Sequence, residues 1–238
     1  MGGDFEIRQL HTTQTDIALF TGQRLSNETI NLPESFDISG RITGNAGVIN
    51  TQLDVNTSSG TAALSGRFGN LTDPNRLQYN ATVRTDGLRL GTILRQPDQF
   101  GNVTGLFHVA GKGTDPDKMQ AKFTGRIYSF GYNNYQYRNI TAEGSIKGTA
   151  FEVKADVNDP NADLDLVASG NLSDNPSFTV NGMIDSVKTL PLHFTQDPFI
   201  FRGKLEGTAS NFAGAHPVAD ILLTNALFVS GNERLPLD

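Results

Sequence analysis

The chain has 238 residues, 18% of them charged, with a formal net charge of -6 and 25 glycines. The acidic balance excludes nucleic acid as an expected partner, because phosphate binding needs a basic surface. Cysteine is absent, so disulfides and thiolate metal sites are excluded, and no apolar run approaches the roughly 20 residues of a membrane-spanning helix.

Met1-Gly2-Gly3 reads as a cloning scar, and Leu235-Pro-Leu-Asp238 follows directly on a strand-like stretch. The expectation is therefore a piece of a longer protein. Thr15–Phe20 breaks the alternation around it and reads as a short helix, with Asp16 as its capping residue. From Phe36 onward the period is two: Phe36, Ile38, Gly40 and Ile42 alternate with Asp37, Ser39, Arg41 and Thr43. The same alternation returns in Phe151–Val157, in Ala162–Ala168 and in Phe178–Ile184. One apolar and one polar face predicts antiparallel strands wet on one side. Turn signals at Asp73-Pro-Asn75, Asp115-Pro-Asp117, Asp159-Pro-Asn161 and Asp174-Asn-Pro176 divide the chain into roughly 12 to 14 strands.

A pattern of apolar, any, glycine, any, apolar recurs along these strands. It stands at Ile38-Ser-Gly40-Arg-Ile42, Leu64-Ser-Gly66-Arg-Phe68, Val103-Thr-Gly105-Leu-Phe107 and Phe123-Thr-Gly125-Arg-Ile127. It returns at Ala142-Glu-Gly144-Ser-Ile146, Ala168-Ser-Gly170-Asn-Leu172, Val180-Asn-Gly182-Met-Ile184 and Phe201-Arg-Gly203-Lys-Leu205. Residues i, i+2 and i+4 of a strand share a face, so each glycine sits inside the apolar row. Repeated this way, the glycines predict a curved sheet with room on its apolar side. The expected lining of that side is Phe36, Ile38, Leu53, Leu64, Phe68, Phe107, Phe123, Ile127, Ile146, Phe151, Val153, Leu164, Phe178, Val180, Phe201 and Leu205.

Two further segments interrupt the alternation. Leu88–Leu94 reads as a helix capped by Asp86, and Val187–Leu192 as a turn or a single helical turn limited by Pro191. Asp86-Gly-Leu-Arg-Leu and Asp185-Ser-Val-Lys-Thr-Leu occupy equivalent places, each before a glycine-motif strand, and Gly105 and Gly203 are 98 residues apart. The expected organisation is one continuous elongated domain of repeats, 4–85, 86–184 and the start of a third at 185–238, after the scar at 1–3. The N-terminal unit, following Asp16, is a shorter version.

Phe36-Asp-Ile-Ser-Gly-Arg-Ile-Thr-Gly44 resembles the strand that opens a unit in the TamB family of envelope proteins. Tyr128-Ser-Phe-Gly-Tyr-Asn-Asn-Tyr-Gln-Tyr-Arg-Asn-Ile-Thr-Ala-Glu-Gly144 and Asp159-Pro-Asn-Ala-Asp-Leu-Asp-Leu166 are similar to stretches of that family's Bacteroidota branch. The resemblance covers nearly the whole chain and consists of strands and turns. It implies an AsmA-like periplasmic segment of an inner-membrane-anchored protein. It further implies a long antiparallel sheet folded lengthwise into an apolar trough, a β-taco. The implied partners are phospholipid acyl chains, the remainder of its own longer chain, and an outer-membrane barrel protein met through a C-terminal region that this sequence does not show. The implied roles are phospholipid transport between the inner and outer membranes and assembly of outer-membrane proteins.

Chemistry is sparse by comparison. His11, His108, His193 and His216 are far apart and lack metal-ligand spacing, and no phosphate-binding or nucleophile motif occurs. Gly111-Lys-Gly113 reads as a turn. Asp156, Asn158, Asp159, Asn161, Asp163 and Asp165 form the densest set of oxygen ligands, but lack the glycine and final glutamate of a calcium loop, so a solvated turn is expected. Tyr128, Phe130, Tyr132, Tyr135 and Tyr137 suit cross-strand packing over a hairpin at Asn133-Asn134 better than a sugar or peptide platform. No catalytic residue, metal or cofactor is expected, and the chain is not read as an enzyme.

Three readings follow. Alternation alone favours an apolar face closed on itself as a dry core, which would make an elongated stalk. The resemblance favours an open trough, about 60 Å long for roughly 13 strands. The third reading is a module that pairs exposed strand edges with client β-strands.

Overall fold

The period-two alternation is realised as fourteen strands in an antiparallel sheet that keeps the order of the chain from β1 to β14. The computed structural model describes residues 2–21, 31–45, 47–173, 175–210, 218–231 and 233–237. Along the chain, β1 (Gly2–Thr13) leads into α1 (Gln14–Thr21), and β2 (Ser35–Asn45), β3 (Val48–Thr57), β4 (Gly60–Gly69) and β5 (Gln78–Arg89) follow. After α2 (Leu90–Ile93) come β6 (Phe100–Lys112), β7 (Gln120–Tyr132), β8 (Tyr135–Lys147), β9 (Ala150–Asp159), β10 (Ala162–Asn171) and β11 (Ser177–Lys188). The last three are β12 (Ile200–Ser210), β13 (Val218–Ser230) and β14 (Glu233–Leu237). The fold class is therefore all-β, with short helical segments, as the alternation predicts. Gly2 and Gly3, read as a scar, are strand residues opposite Asn45 and Gly44.

The residues form two compact units, Met1–Thr114 with Ile127–Gln136, and Asp115–Arg126 with Tyr137–Asp238. In the first unit β1 to β6 pair in sequence, each antiparallel to the next. In the second, β8 to β14 do the same. Strand ends in each unit fall on two rims. Each rim carries both kinds of connection: on one, β2 turns tightly into β3 and β8 into β9, beside the longer segments 70–77, 113–119 and 172–176, and on the other the short turns 58–59, 133–134 and 160–161 lie beside 14–34, 90–99 and 189–199.

Three Asp-Pro signals work through one device. The carboxylates of Asp73, Asp115 and Asp159 each accept the backbone N–H two residues on, at 3.0, 3.0 and 2.9 Å. Proline fixes the intervening residue and removes its donor, so the carboxylate closes an Asx turn. Asp174, in the fourth signal, lies outside the described residues, as does His216. Asn133 and Asn134 both take positive φ, 49° and 59°, which joins β7 to β8 by the two-residue hairpin expected there.

The sequence repeat has a structural meaning that differs from its helical reading. Asp86 does not cap α2: it lies in β5, and the residue before α2 is Arg89, which makes no side-chain cap. Asp86 and Gly87 are instead the extra residues of a bulge, where the register with β6 shifts between Thr85 and Leu88. Asp185 and Ser186 form the equivalent bulge in β11, between Ile184 and Val187. Val187 and Lys188 complete that strand, and turns follow at 189–194. A third bulge interrupts β1 between Ile7 and Leu10. These three bulged strands each feed a longer connection, whereas a further bulge, at Asn225 and Ala226 of β13, lies in a strand that is followed closely by β14. Asp16 is likewise not the cap of α1. Thr13 takes that place, its hydroxyl 3.2 Å from the N–H of Asp16, while the Asp16 carboxylate accepts the N–H and hydroxyl of Thr13 at 3.0 and 2.8 Å. This is a capping box with aspartate as the returning acid. Gly111 and Lys112, read as a turn, belong to β6, and Gly113 alone follows the strand, with φ 76°.

Candidate functional site

Register turns the alternation into a shared face. In the first unit one row runs Gly40, Leu53, Leu64, Val83, Phe107 across β2 to β6. Phe36, Ile38, Gly66, Phe68 and Gly105 lie on the same face in neighbouring rows. Ile127 of β7 is half-buried by the same alternation. In the second unit Gly144, Val153, Ala168, Val180 and Gly207 form one row. Ile146, Phe151, Gly170 and Phe178 form the next. Leu164 faces Ile184, Gly182 faces Leu205, and Phe201 faces Phe228, with ring centroids 4.9 Å apart. Gly203 lies opposite Ile184. Phe123 joins this floor through its ring, which lies over Gly144, and Gly125 is half-buried two residues on.

The floor residues named above carry no charge, although Asp159 ends β9 on the same parity, whereas the opposite face is charged along its length. There Arg41 is bidentate to Asp4 and holds that carboxyl below its ordinary value. Lys154 lies 3.9 Å from Glu143, and Lys204 pairs with Glu206. Asp165 stands directly opposite Asp156. Desolvation first, then the hydrogen bond and repulsion from Asp156, push its pKa up, and Asp185 and Asp163 add to the shift. The expected oxygen-ligand cluster is therefore divided. Asp159 is buried rather than solvated, its carboxylate accepting the N–H groups of Arg138 and Asn161, both at 2.9 Å. Among the described residues no three His, Cys, Asp or Glu side chains converge as metal ligands. Phe100, Phe130 and Tyr132 pack together with centroids 5.4 to 6.4 Å apart, so the aromatic patch is at least partly a packing cluster.

Fifteen of the sixteen lining residues are half-buried and Phe178 is 38% exposed; none is fully withdrawn from water. Among the described residues Leu192 is the one large side chain that is fully buried.

The glycines act differently from the sequence expectation. At Gly144, Gly182 and Gly207 the space beside the glycine is occupied by a side chain of a neighbouring strand. A Cβ at Gly144 would stand 2.6 Å from Cε1 of Phe123, and one at Gly207 would stand 2.9 Å from Cγ1 of Val180. At Gly182 it would meet Cδ2 of Leu166. Gly40 has a separate reason: its φ is 136°, and a Cβ would run into the Gln52 carbonyl.

Sequence reasoning missed part of this face. Val55 and Val83 share it by register, as do Val157, Leu166 and Ile184, which the alternation already places there. Gly207 also belongs to it, in Leu205-Glu-Gly-Thr-Ala209, which repeats the same five-residue pattern. Ile7 and Leu10 of β1 join it on either side of a bulge that reverses the parity, so simple alternation loses them.

No family model matches the chain, and neither does any curated protein or solved structure.

Proposed function

We propose that this chain is a periplasmic segment of a TamB-like envelope protein, and that its apolar floor shields phospholipid acyl chains during transport between the inner and outer membranes. The observation that carries the reading is an aligned apolar face, shared across successive strands by register, whose lining residues are not fully withdrawn from water. Soluble monomers rarely leave large contiguous apolar surface to water, and such a surface marks a binding site. Each CH₂ moved from water onto it contributes about 0.8 kcal/mol. A continuous apolar row across successive strands lets a chain slide without a single deep minimum, which suits transport better than fixed storage. The charged opposite face keeps that side wet. No nucleophile, base or cofactor site is assigned, and the reading is not enzymatic.

The test is native mass spectrometry with solvent extraction on the chain purified from a bacterial envelope. Phospholipid should co-purify with the wild type and disappear from Phe123→Asp and Leu164→Asp, while circular dichroism shows both variants folded. A folded wild type that carries no lipid and refuses added phospholipid would sink the proposal and leave the client-strand module or the closed stalk.

A further inference from the structure

The two end strands of the sheet are guarded unequally. β1 carries Asp4, Glu6 and Arg8 on alternate positions, all exposed, and its ladder is interrupted by the bulge between Ile7 and Leu10. Charge and a bulge are what keep an edge from pairing. At the other end β14 covers only part of its neighbour. It pairs with residues 226–230 of β13, whereas β12 pairs with β13 from Val218 to Val229 on the opposite side. Among the described residues no strand therefore lies along the outer edge of β13 over 218–225.

The side chains follow this division. Beside β14, Ala226 is buried and Leu227, Phe228 and Val229 are half-buried. Beyond it, Val218, Ile221 and Leu222 are 54%, 71% and 55% exposed. Ile221 lies opposite Gly207 on the apolar face, and Leu222 opposite Glu206 on the charged one. The uncovered stretch is thus apolar on both faces, with Asp220 as its one charge. An apolar edge of this kind is a template for another strand.

We infer that the strand it takes is β13 of a second copy of this chain, in a two-fold antiparallel pairing centred on Ile221. The regular stretch sets the centre. It begins at Val218 and ends before Asn225, whose φ of 51° falls in the bulge between Thr224 and Leu227. A two-fold axis normal to the sheet brings together residues of like parity, so each face continues as itself. On the apolar face Ile221 meets the partner's Ile221, and the small Ala219 meets the partner's Leu223. On the charged face Val218 meets the partner's Thr224 and Asp220 the partner's Leu222, so the two Asp220 carboxylates are staggered rather than opposed. β14 does not compete for the edge. Leu237 stands beside Ala226, and the partner's Val218 stands beside Thr224, so the two strands continue one ladder end to end. Residues 218–224 alone make a small interface, which fits a weak, concentration-dependent dimer. The inference goes beyond the acyl-chain reading and stands without it.

Sedimentation velocity of the full chain from about 1 µM to about 1 mM, the range of weak complexes, measures the association. Wild type should pass from monomer to dimer. Ile221→Lys sets two ammonium groups opposite each other on the axis and should weaken the dimer about tenfold or more. Leu222→Lys places a cation opposite each partner Asp220, and should leave association equal or tighten it by up to about threefold. Phe5→Lys, on the guarded edge, should match wild type. Ile221→Cys, in a chain with no other cysteine, should give a covalent dimer with a short bis-maleimide, and Phe5→Cys should not. Circular dichroism checks that each variant is folded. A wild type that stays monomeric throughout overturns the inference and leaves the edge to a strand of another protein. So does a loss at Leu222→Lys as large as that at Ile221→Lys, or a dimer that Leu164→Asp or Phe5→Lys breaks and Ile221→Lys does not. Each of these outcomes leaves the acyl-chain reading as it stands.

Discussion

If floor glycines are filled by neighbouring side chains, adding a methyl group at one of them should hurt only while the neighbour is present. Gly207 is the cleanest case. Its notional Cβ meets one side-chain atom closely, Cγ1 of Val180 at 2.9 Å, and the next contact, the Asp220 carbonyl, is at an ordinary 3.6 Å. Overpacking of this kind costs about 1–3 kcal/mol. Replacing glycine by alanine in a permissive strand conformation recovers about 0.5–1 kcal/mol of backbone entropy. Gly207→Ala alone should therefore destabilise by about 0.5–2 kcal/mol. In a Val180→Ala background the clash is gone and the same change should be neutral or stabilising by about 0.5–1 kcal/mol. The coupling energy of the cycle is then about 1–3 kcal/mol. Urea unfolding of the four proteins, compared at equal m-value, measures it. Additivity within about 0.3 kcal/mol would refute the filled-glycine account and restore an open hollow at that position.

Four other outcomes are expected. Gly40→Ala should cost about 2–5 kcal/mol in denaturant unfolding, since positive φ and collision with the Gln52 carbonyl act together; Gly87→Ala, with open space around its Cβ, should cost clearly less. Asp159→Ala should destabilise by about 2–3 kcal/mol, because it orphans the N–H groups of Arg138 and Asn161 in a buried corner; a Tm within a degree of wild type would contradict this. Asp165 has its pKa raised by desolvation and by Asp156, so the folded state binds its proton more tightly than the unfolded chain. Stability should therefore fall as pH rises from the ordinary aspartate value, 3.8, through the raised one, and Asp165→Asn should flatten that slope in pH-dependent thermal unfolding. Asp16 is shifted the other way by Thr13, so the contribution of its capping box should be lost as pH falls below the unfolded value; carboxyl NMR titration with and without Thr13→Ala checks it.

The strands were legible because their signal is local. Phe151, Val153, Ala155 and Val157 alternate with Glu152, Lys154 and Asp156 in the sequence, and β9 buries every second residue accordingly. The Asp-Pro turns were legible for the same reason, since the carboxylate and the N–H it accepts lie two residues apart. The bulges were not. Asp86-Gly87 carries the residues of a helix entry, and only the pairing of β5 with β6 reveals an extra residue there. The role of the glycines was also hidden, because the atoms that fill Gly144 and Gly207 come from Phe123 and Val180 on neighbouring strands. Asp159 read as solvated because nothing near it in sequence announces the N–H of Arg138. Whatever depended on a partner one strand away needed the register.

The central claim is that the apolar floor, and not the wet face, meets acyl chains. Leu53 and Gln52 are adjacent residues of β3 on opposite faces. A photoactivatable benzophenone placed at each in turn, in the chain expressed in a bacterial periplasm, samples both faces at the same depth of the sheet. Mass spectrometry after irradiation should find phospholipid adducts at Leu53 and none at Gln52. Absence of lipid at Leu53, or equal labelling at both positions, would contradict the account.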